Sequence, residues 1–323
     1  MDSNPPLMST YKKLLSSPLN PCNDLGVCSG EECQLPVIDL ELLNTENAEF
    51  CKTDIAAAAA DWGFFQVVNH GIPSDLLDRI QSEQVKLFQQ PFDKKSLEFS
   101  ANSYRWGSPA ATSVHQLSWS EAYHIPLNQS HLPFKQIARE TIEELAALLS
   151  RLASLLAGIL AERLGRNAAY LEEKCTNETC YMRLNHYPQC PIPSNLFGLV
   201  PHTDSDFLTI LVQDQVGGLE LMKFGKWIPV KPNPDALVVN IGDLFQAWSN
   251  GVYKSVEHRV VSSPHHERYS VAFFLCPSYD TIIQSQETET PIYRRFSFRE
   301  YRQQVQEDVK LIGHKVGLAR FLA

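Results

Sequence analysis

The spacing of apolar residues changes along the chain and divides its 323 residues into four parts. Residues 1–34 are rich in Pro, Ser, Asn and Cys and show no period, which predicts a loosely ordered arm. Residues 35–175 carry mostly helical patterns, residues 176–290 carry short β-rich runs, and residues 291–323 carry a last helix and a tail. We expect residues 35–323 to form a single domain around the β-rich part.

The clearest helical pattern runs from about Lys135 to Leu164, with an apolar stripe along one face. The stripe consists of Leu145, Leu148, Leu149, Leu152, Leu155, Leu156, Ile159 and Leu160. A shorter helix is expected to begin at Ser74, whose hydroxyl can cap it. Ser297 and Glu300 have the spacing of a capping box, which predicts the C-terminal helix.

Strand patterns are predicted near residues 37–39 and 64–68, and they dominate from Tyr181 to Ile283. In that last region, β-rich runs such as WIPV, ALVVNI and YSVAFFL alternate with turn signals. Regularly spaced short strands favour a sandwich or barrel such as a jelly roll. The expected fold is therefore mixed and mainly β, with flanking α-helices.

Charge and composition narrow the range of partners. The formal net charge of −9 argues against electrostatic binding of nucleic acid or of an anionic membrane. The apolar segment from Leu145 to Gly165 is interrupted by charged residues, so we expect it to be too short for a membrane span. No signal-peptide pattern is visible, which predicts free thiols for the eight cysteines and a cytoplasmic protein, with the nucleus as a second compartment. The sequence leaves the oligomeric state open.

One stretch, FGLVPHTDSDFLTIL at residues 197–211, places polar residues inside an otherwise apolar strand pattern. His202, Asp204 and Asp206 occupy alternate positions, so they project from the same face of a strand. An imidazole nitrogen and a carboxylate oxygen are suitable ligands for a divalent transition metal. Taken alone, this spacing is more typical of a polar pair or a solvated face.

A third ligand has to come from elsewhere in the chain. His258 lies in the strand pattern SVEHRVV, whereas His265 and His266 follow a proline in a turn. The strand position holds a side chain better, so His258 is favoured. Two histidines and one carboxylate on one face form the facial triad of non-haem Fe(II) oxygenases.

Ten positions beyond His258, Arg268 and Ser270 also share one face of a strand pattern. An arginine inside an apolar strand needs a buried anion or a carboxylate partner. A guanidinium fork beside a hydroxyl is a good receptor for a small carboxylate. Asn185 and Tyr187 in RLNHYPQCP could also reach polar ligand atoms.

These motifs resemble those of the plant 2-oxoglutarate-dependent Fe(II) dioxygenases. The matching segments are WGFFQVVNHG, NHYPQCP, HTDSDFLTIL, GDLFQAWSNG, YKSVEHRVV and ERYSVAFF. The resemblance extends from about Leu35 to Leu322 and implies a distorted jelly roll, also called a double-stranded β-helix. It also implies Fe(II) as cofactor, 2-oxoglutarate and O2 as co-substrates, and ascorbate as reductant.

The resemblance assigns roles to individual residues. The residues that it assigns to iron are His202, Asp204 and His258. It makes Asp206 a neighbour that does not bind the metal. The residues that it assigns to 2-oxoglutarate are Arg268, Ser270 and Tyr187, with Asn185 in support.

Within this family, residues 103–127 are most similar to gibberellin 2-oxidases that act on twenty-carbon gibberellins. The resemblance implies 2β-hydroxylation of a diterpenoid carboxylic acid and inactivation of the hormone pathway. The aromatic residues Tyr104, Trp106, Trp119 and Tyr123 lie in a region without a clear period, where they could line a substrate pocket or fill a core edge. Arg105 could pair with a substrate carboxylate or lie at the surface.

Two positions depart from the pattern of relatives. Val212 stands where relatives usually have a tyrosine, and His186 stands where they usually have an arginine. We expect Val212 to lie near the metal and to reshape the pocket. Oxidation of a related diterpenoid at another carbon is therefore an alternative, followed by a flavonoid or another plant acid. A non-catalytic metal-binding jelly roll would not need the complete triad together with Arg268.

Overall fold

The computed structural model describes residues 2–16, 32–98, 103–128, 134–192, 196–286 and 290–323. The helices of these residues are α1 (Leu7–Thr10), α2 (Lys12–Leu15), α3 (Ala48–Asp61), α4 (Ser74–Phe88), α5 (Phe92–Glu98), α6 (Gln136–Arg163), α7 (Ala169–Lys174), α8 (Asp243–Trp248) and α9 (Phe298–Ile312). The strands are β1 (Val37–Asp39), β2 (Phe64–Val68), β3 (Tyr104–Trp106), β4 (Glu121–Pro126), β5 (Tyr181–Tyr187), β6 (Phe197–His202), β7 (Leu208–Gln213), β8 (Leu219–Lys223), β9 (Lys226–Pro229), β10 (Leu237–Ile241), β11 (His258–Val261), β12 (Arg268–Leu275), β13 (Ile282–Ile283) and β14 (Phe296–Ser297).

Two sheets form the core of the fold. The larger sheet has the strand order β1-β2-β10-β7-β12-β5-β4-β3, and the smaller sheet has the order β6-β11-β8-β9. Side chains from both sheets line one cavity between them. The expected mixed, mainly β fold with flanking helices is confirmed, and the two sheets correspond to a distorted jelly roll.

The early strands β1 and β2 lie where the sequence predicts them and pair in parallel. Gly63 makes the turn from α3 into β2 with a φ of +65°, a conformation that L side chains rarely adopt. A Cβ atom at this position would lie 2.2 Å from the carbonyl oxygen of Lys254. Backbone conformation and close packing therefore both require glycine here.

The long helix α6 packs against α3, α4 and β12, as expected for a backing helix. Its predicted stripe is buried except at Leu148, which is half-buried, and Leu155, which is exposed. The helix spans 28 residues, so length and composition alone would allow it to cross a membrane, contrary to the sequence argument. The burial of its apolar face in the main core indicates a core helix of a globular fold.

The N-terminal arm is more ordered than expected where the structure describes it. Leu7 and Tyr11, in and beside α1, are buried in a cluster with Trp119 and Cys190. Apolar contacts thus fix residues 7–15 against the rest of the fold, whereas residues 17–31 lie outside the described residues. The helix α4 begins at Ser74 as predicted, but its N-cap is Pro73 and no side chain caps it.

The part from residue 35 to 175 also contributes more strands than its helical patterns suggest. Strands β3 and β4 come from the region without a clear period and extend the large sheet beyond β5. Residues 121–123 of β4 are all buried, so the strand shows no alternation of apolar and polar positions. Residues 99–102 and 129–133 of this region lie outside the described residues.

The C-terminal helix α9 begins at the predicted capping box and ends at a glycine. The Ser297 hydroxyl accepts a hydrogen bond from the Glu300 amide at 3.1 Å, and Gly313 adopts a left-handed C-cap. The Glu300 carboxylate pairs with Arg294 at 2.8 Å. Tyr301 packs against the ring of Phe296, with 5.8 Å between ring centroids, and the two residues form a hydrophobic staple.

Candidate active site

The three predicted metal ligands meet at one end of the small sheet. His202 ends β6, His258 begins β11, and the two residues are direct partners in the antiparallel pairing. Asp204 follows β6 after one intervening residue, and its Oδ1 lies 3.6 Å from His202 Nε2 and 3.8 Å from His258 Nε2. The three candidate ligand atoms all lie within 4.8 Å of one another, which is suitable for one metal ion.

Hydrogen bonds orient both imidazole rings for metal binding. His202 Nδ1 lies 2.9 Å from the Val200 carbonyl oxygen, and His258 Nδ1 lies 3.1 Å from the Val256 carbonyl oxygen. A carbonyl oxygen only accepts, so each Nδ1 carries the proton and each Nε2 has its lone pair free. Both lone pairs are available to the metal, which is the usual arrangement of metal-binding histidines.

Asp204 is held so that one of its oxygens remains available. Its Oδ2 accepts hydrogen bonds from Thr209 at 2.6 Å and from Asn240 at 2.8 Å, which leaves Oδ1 facing the histidines. Burial acts to raise the pKa of Asp204, but the neighbouring His258 and His202 and these hydrogen bonds lower it. The residue is therefore a carboxylate, the form that binds a cation.

The electrostatics around the other two residues of the motif also fit a metal centre. Burial is the main cause that lowers the pKa of His202, so its imidazole is neutral. Burial raises the pKa of Asp206 well above its ordinary value. Thr209 Oγ1 lies 2.9 Å from Asp206 Oδ2 and has a single proton, which already serves Asp204. The geometry therefore favours a protonated Asp206 that donates to Thr209. A neutral carboxyl group is a poor metal ligand, which fits the expectation that Asp206 is a neighbour of the ligands and does not bind the metal.

The residues expected to bind 2-oxoglutarate lie on two paired strands in the same cavity. Arg268 pairs with Tyr187, and Ser270 pairs with Asn185, across β12 and β5. Asn185 donates to the Ser270 hydroxyl at 3.3 Å, and the Arg268 guanidinium lies 4.9 Å from the centre of the Tyr187 ring. The cavity that holds these residues and the triad has a volume of about 210 Å³.

Arg268 carries a charge that the described residues do not neutralise. Its side chain is 3% exposed, and it donates to Gln213 at 2.8 Å, but no carboxylate among the described residues pairs with it. Its Nε also has no hydrogen-bond partner there. A buried, unpaired guanidinium is costly unless a ligand supplies the anion, so the arrangement fits the far carboxylate of a small dicarboxylic acid bound to the metal.

Close packing fixes the remaining parts of this receptor. Gly198 lies against the ring of Tyr187, and a Cβ at Gly198 would be 2.6 Å from that ring. Behind the sheet, the buried amide of Gln84 donates to the backbone carbonyls of Asn185 at 3.0 Å and of Ser270 at 2.9 Å. The two strands are thereby held together where they present their polar side chains.

The aromatic residues proposed for the substrate pocket lie elsewhere. Tyr104 and Tyr123 are buried in the main core, and Trp119 is buried in the cluster around the N-terminal helices. Trp106 is half-buried and packs against Phe92, with 5.4 Å between the centres of the rings. None of these four residues lines the cavity around the triad. Their positions favour the interpretation that they fill the edge of the core.

Val212 also differs from its expected position. Its neighbour Leu211 lines the iron-site cavity, whereas Val212 lines a separate cavity beside Gln84 on the opposite face of the sheet. Successive side chains of a strand point to opposite faces, so a position next to a cavity residue faces away from it. The same alternation directs His186 away from the cavity, where its Nδ1 lies 2.8 Å from Glu121 Oε1. The exposed His265 and His266 are not part of the metal cluster.

Several residues of the site were not identified from the sequence. Arg183 lines the cavity two positions before Asn185, and the alternation in RLNHY could have identified it. Thr209 and Asn240 support Asp204, but each occupies an ordinary polar position in a strand, without a motif to single it out. Arg105 lies in a second cavity beside the first.

Comparisons with family models agree with this geometry. Residues 178–277 match the 2OG-Fe(II) oxygenase superfamily. Residues 35–142 match the family described as non-haem dioxygenase in morphine synthesis N-terminal. The first match contains the metal triad and both Arg268 and Ser270. The second contains β1 to β4 with the four aromatic residues considered for the substrate pocket.

Individual relatives extend the match to nearly the whole chain. Gibberellin 2-beta-dioxygenase 8 of Arabidopsis thaliana is 57% identical over 299 residues, covering 90% of this chain and 88% of that protein. Gibberellin 2-beta-dioxygenase 5 of Oryza sativa subsp. japonica is 50% identical and covers 99% and 97% of the two chains. Among solved structures, JOX2 in complex with 2OG, Fe and JA has a TM-score of 0.79 at 32% identity and covers 97% of both chains. The relatives match over almost the full length of the chain, and the family match contains the histidine-aspartate-histidine cluster. The chain therefore belongs to the 2-oxoglutarate- and Fe(II)-dependent oxygenases.

Proposed function

We propose that this oxygenase hydroxylates gibberellins at the 2β position, with twenty-carbon gibberellins as its substrates. Two relatives that are 57% and 50% identical over at least 90% of this chain are named gibberellin 2-beta-dioxygenases, and this similarity carries the proposal. The class that acts on twenty-carbon gibberellins is suggested by residues 103–127, which include β3 and β4.

The site residues support the reaction in a definite way. His202, Asp204 and His258 would hold Fe(II) and leave three coordination positions for 2-oxoglutarate and dioxygen. With Fe(II) bound, this chemistry inserts one oxygen atom into a C–H bond, places the other in succinate and releases CO2. Arg268 and Ser270 fix the far carboxylate of 2-oxoglutarate, and the walls of the cavity then decide which carbon of the substrate is within reach.

The alternative of oxidation at another carbon has lost its main support. It depended on Val212 as a residue that reshapes the pocket near the metal, but Val212 faces the other side of the sheet. We further propose that residues 35–323 act as one domain, since strands from residues 37–126 and from residues 181–275 share the large sheet. We also propose a cytoplasmic location, with the nucleus as a second compartment.

The decisive experiment identifies the product by mass spectrometry and NMR. Purified protein is incubated with Fe(II), ascorbate, 2-oxoglutarate and a twenty-carbon gibberellin. The expected product carries a 2β-hydroxyl group and forms together with succinate. The variant His202→Ala, which lacks a metal ligand, is expected to form neither. A hydroxyl on another carbon, or succinate without any hydroxylated gibberellin, would overturn the proposed substrate or position.

A further inference from the structure

A second cavity opens beside the iron site. Its volume is about 620 Å³, and it shares Tyr181, Arg183 and Ser205 with the cavity that holds the triad. Its walls come from β3, β4, β5 and the C-terminal helix α9. A ligand in this space would therefore lie directly beside the metal ligands and the 2-oxoglutarate receptor.

Three arginines from three separate elements converge on this second cavity. Arg105 lies on β3, Arg183 on β5 and Arg302 on α9. Among the described residues, no aspartate or glutamate lines the cavity and none forms an ion pair with these three side chains. Arg302 makes one hydrogen bond, to the hydroxyl of Tyr279 at 3.3 Å, which does not neutralise its charge.

His124 lies close to all three arginines. His124 lies on β4 and lines the same cavity. Burial lowers its pKa to about 4, and the positive charges of Arg183, Arg105 and Arg302 contribute in the same direction. At neutral pH the imidazole is uncharged, so it can donate or accept a hydrogen bond without adding to the charge of the arginines.

Apolar side chains line the cavity beside the arginines. They are those of Ala110, Ala122, Phe298, Val305 and Val309. A cavity lined by both cationic and apolar side chains is complementary to a rigid hydrocarbon skeleton that carries carboxylates. Three guanidinium groups exceed what a single carboxylate needs, because one arginine can already bind a carboxylate through two hydrogen bonds.

We propose that this cavity is the substrate subsite and that Arg105, Arg183 and Arg302 bind two carboxylates of a ring acid, so that the enzyme selects diacids over monoacids. The inference rests on the proposed function and deepens it. A twenty-carbon gibberellin has two free carboxylates, whereas in nineteen-carbon gibberellins one of them is closed into a lactone. The cluster thus provides a physical reason for a preference for the twenty-carbon class.

Charge-neutralising variants test the subsite. Arg105→Gln and Arg302→Gln are compared with the control variant Arg299→Gln. Arg299 is an exposed residue of the same helix α9, and its side chain pairs with Asp280 at 3.0 Å. For each protein, kcat/KM is measured for a dicarboxylic gibberellin and for its monomethyl ester. Hydrogen bonds to charged groups predict a loss of at least about tenfold for the diacid in each subsite variant, mainly through KM. Arg299→Gln is expected to behave like the wild type.

The ratio of diacid to ester activity distinguishes recognition from misfolding. A folding defect lowers both activities and leaves the ratio unchanged, whereas loss of a carboxylate receptor lowers the diacid activity more and reduces the ratio. A ratio that stays at the wild-type value in both variants would overturn the subsite, even though the oxidation of gibberellins would remain established by the wild type.

A second measurement separates the subsite from the proposed function. If the wild type oxidises no gibberellin, the proposed function fails, and the holoenzyme is then tested with agathic acid, a diterpenoid diacid, and with its monomethyl ester. The subsite predicts that the acid raises the thermal midpoint of the wild type more than the ester does, and that Arg105→Gln and Arg302→Gln lose this difference. Equal shifts for acid and ester, or no shift at all, would overturn it.

Discussion

The two faces of strand β5 use polar side chains in different ways. Toward the cavity, Asn185 and Tyr187 lie beside Arg268, whose charge no described residue neutralises. On the opposite face, His186 joins a buried network around Glu121 in which charges are paired. Asn185 and Tyr187 thus belong to the 2-oxoglutarate receptor, whereas His186 between them belongs to a structural ion network.

Almost all polar groups in the network around Glu121, on the face of β5 that points away from the cavity (the outer face), have a partner. Lys95 is 0% exposed and donates to Glu121 at 2.6 Å and to the carbonyl oxygen of Phe88 at 2.8 Å. Glu121 also accepts from the Tyr104 hydroxyl and from His186. Burial acts to lower the pKa of His186, but the hydrogen bond to Glu121 and the carboxylate of Glu267, 3.5 Å from Nε2, outweigh burial and raise it.

The difference indicates what each face contributes. Paired buried charges cost little once they are formed but are strongly destabilising when one partner is removed. An unpaired buried guanidinium lowers the stability of the fold, and this cost is offset only when an anion binds to it. We therefore expect changes on the outer face to affect stability and changes on the inner face to affect co-substrate binding.

The largest effect on stability is expected from Glu121→Ala. The substitution leaves the Lys95 ammonium buried without its carboxylate, which costs about 3–5 kcal/mol. Urea unfolding monitored by circular dichroism measures the loss. Glu144→Ala is the matched control, because Glu144 forms an exposed pair with Arg79 at 2.7 Å and should change stability by at most about 1 kcal/mol. If the two variants were equally stable, the network would not have the role described here.

A smaller effect, on binding, is expected from Arg268→Ala. Loss of charge-assisted hydrogen bonds of about 1.5–3 kcal/mol should raise the KM for 2-oxoglutarate by roughly 10- to 100-fold, while the requirement for Fe(II) changes far less. The rate of succinate formation is measured first at increasing 2-oxoglutarate concentration and then at increasing Fe(II) concentration. Glu121→Ala, assayed well below its unfolding temperature, should keep the wild-type KM. An unchanged KM in Arg268→Ala would contradict the assigned receptor.

The smallest effect is expected from Val212→Tyr. The side chain faces a cavity of about 350 Å³ on the outer side of the sheet, next to Leu77 and Gln84. The larger ring has room there, so we expect less than about a twofold change in product ratio and a change in stability within about 1 kcal/mol. Mass spectrometry of the products tests this expectation. A clear shift in the carbon that is oxidised would show that the two faces of the sheet are coupled.

Local pattern in the sequence was sufficient to predict much of the site. Alternation along β12 places Arg268 with Ser270, because neighbouring positions in a strand face opposite sides. The expectation that His202, Asp204 and Asp206 alternate along one strand was wrong, since β6 ends at His202 and β7 begins at Leu208. Asp204 reaches His202 from the loop between these strands, so here the sequence predicted the residues but not the local structure. The same local rule, applied to RLNHY, would have separated Arg183 and Asn185 from His186. Helix α9 was also predictable, since its cap and its terminal glycine are local signals.

Tertiary structure decided which face meets which neighbour. Tyr104 and Tyr123 have aromatic side chains that would also suit a pocket, but pairing of β3 with β4 and of β4 with β5 places them in the core. Pairing of β6 with β11 brings His258 to His202. The position of α9 places Arg302 on the same cavity as Arg105 of β3 and Arg183 of β5. A strand's alternation is a property of adjacent residues, whereas the identity of the opposing surface depends on segments far apart in the chain, so only the folded structure could show the basic cavity.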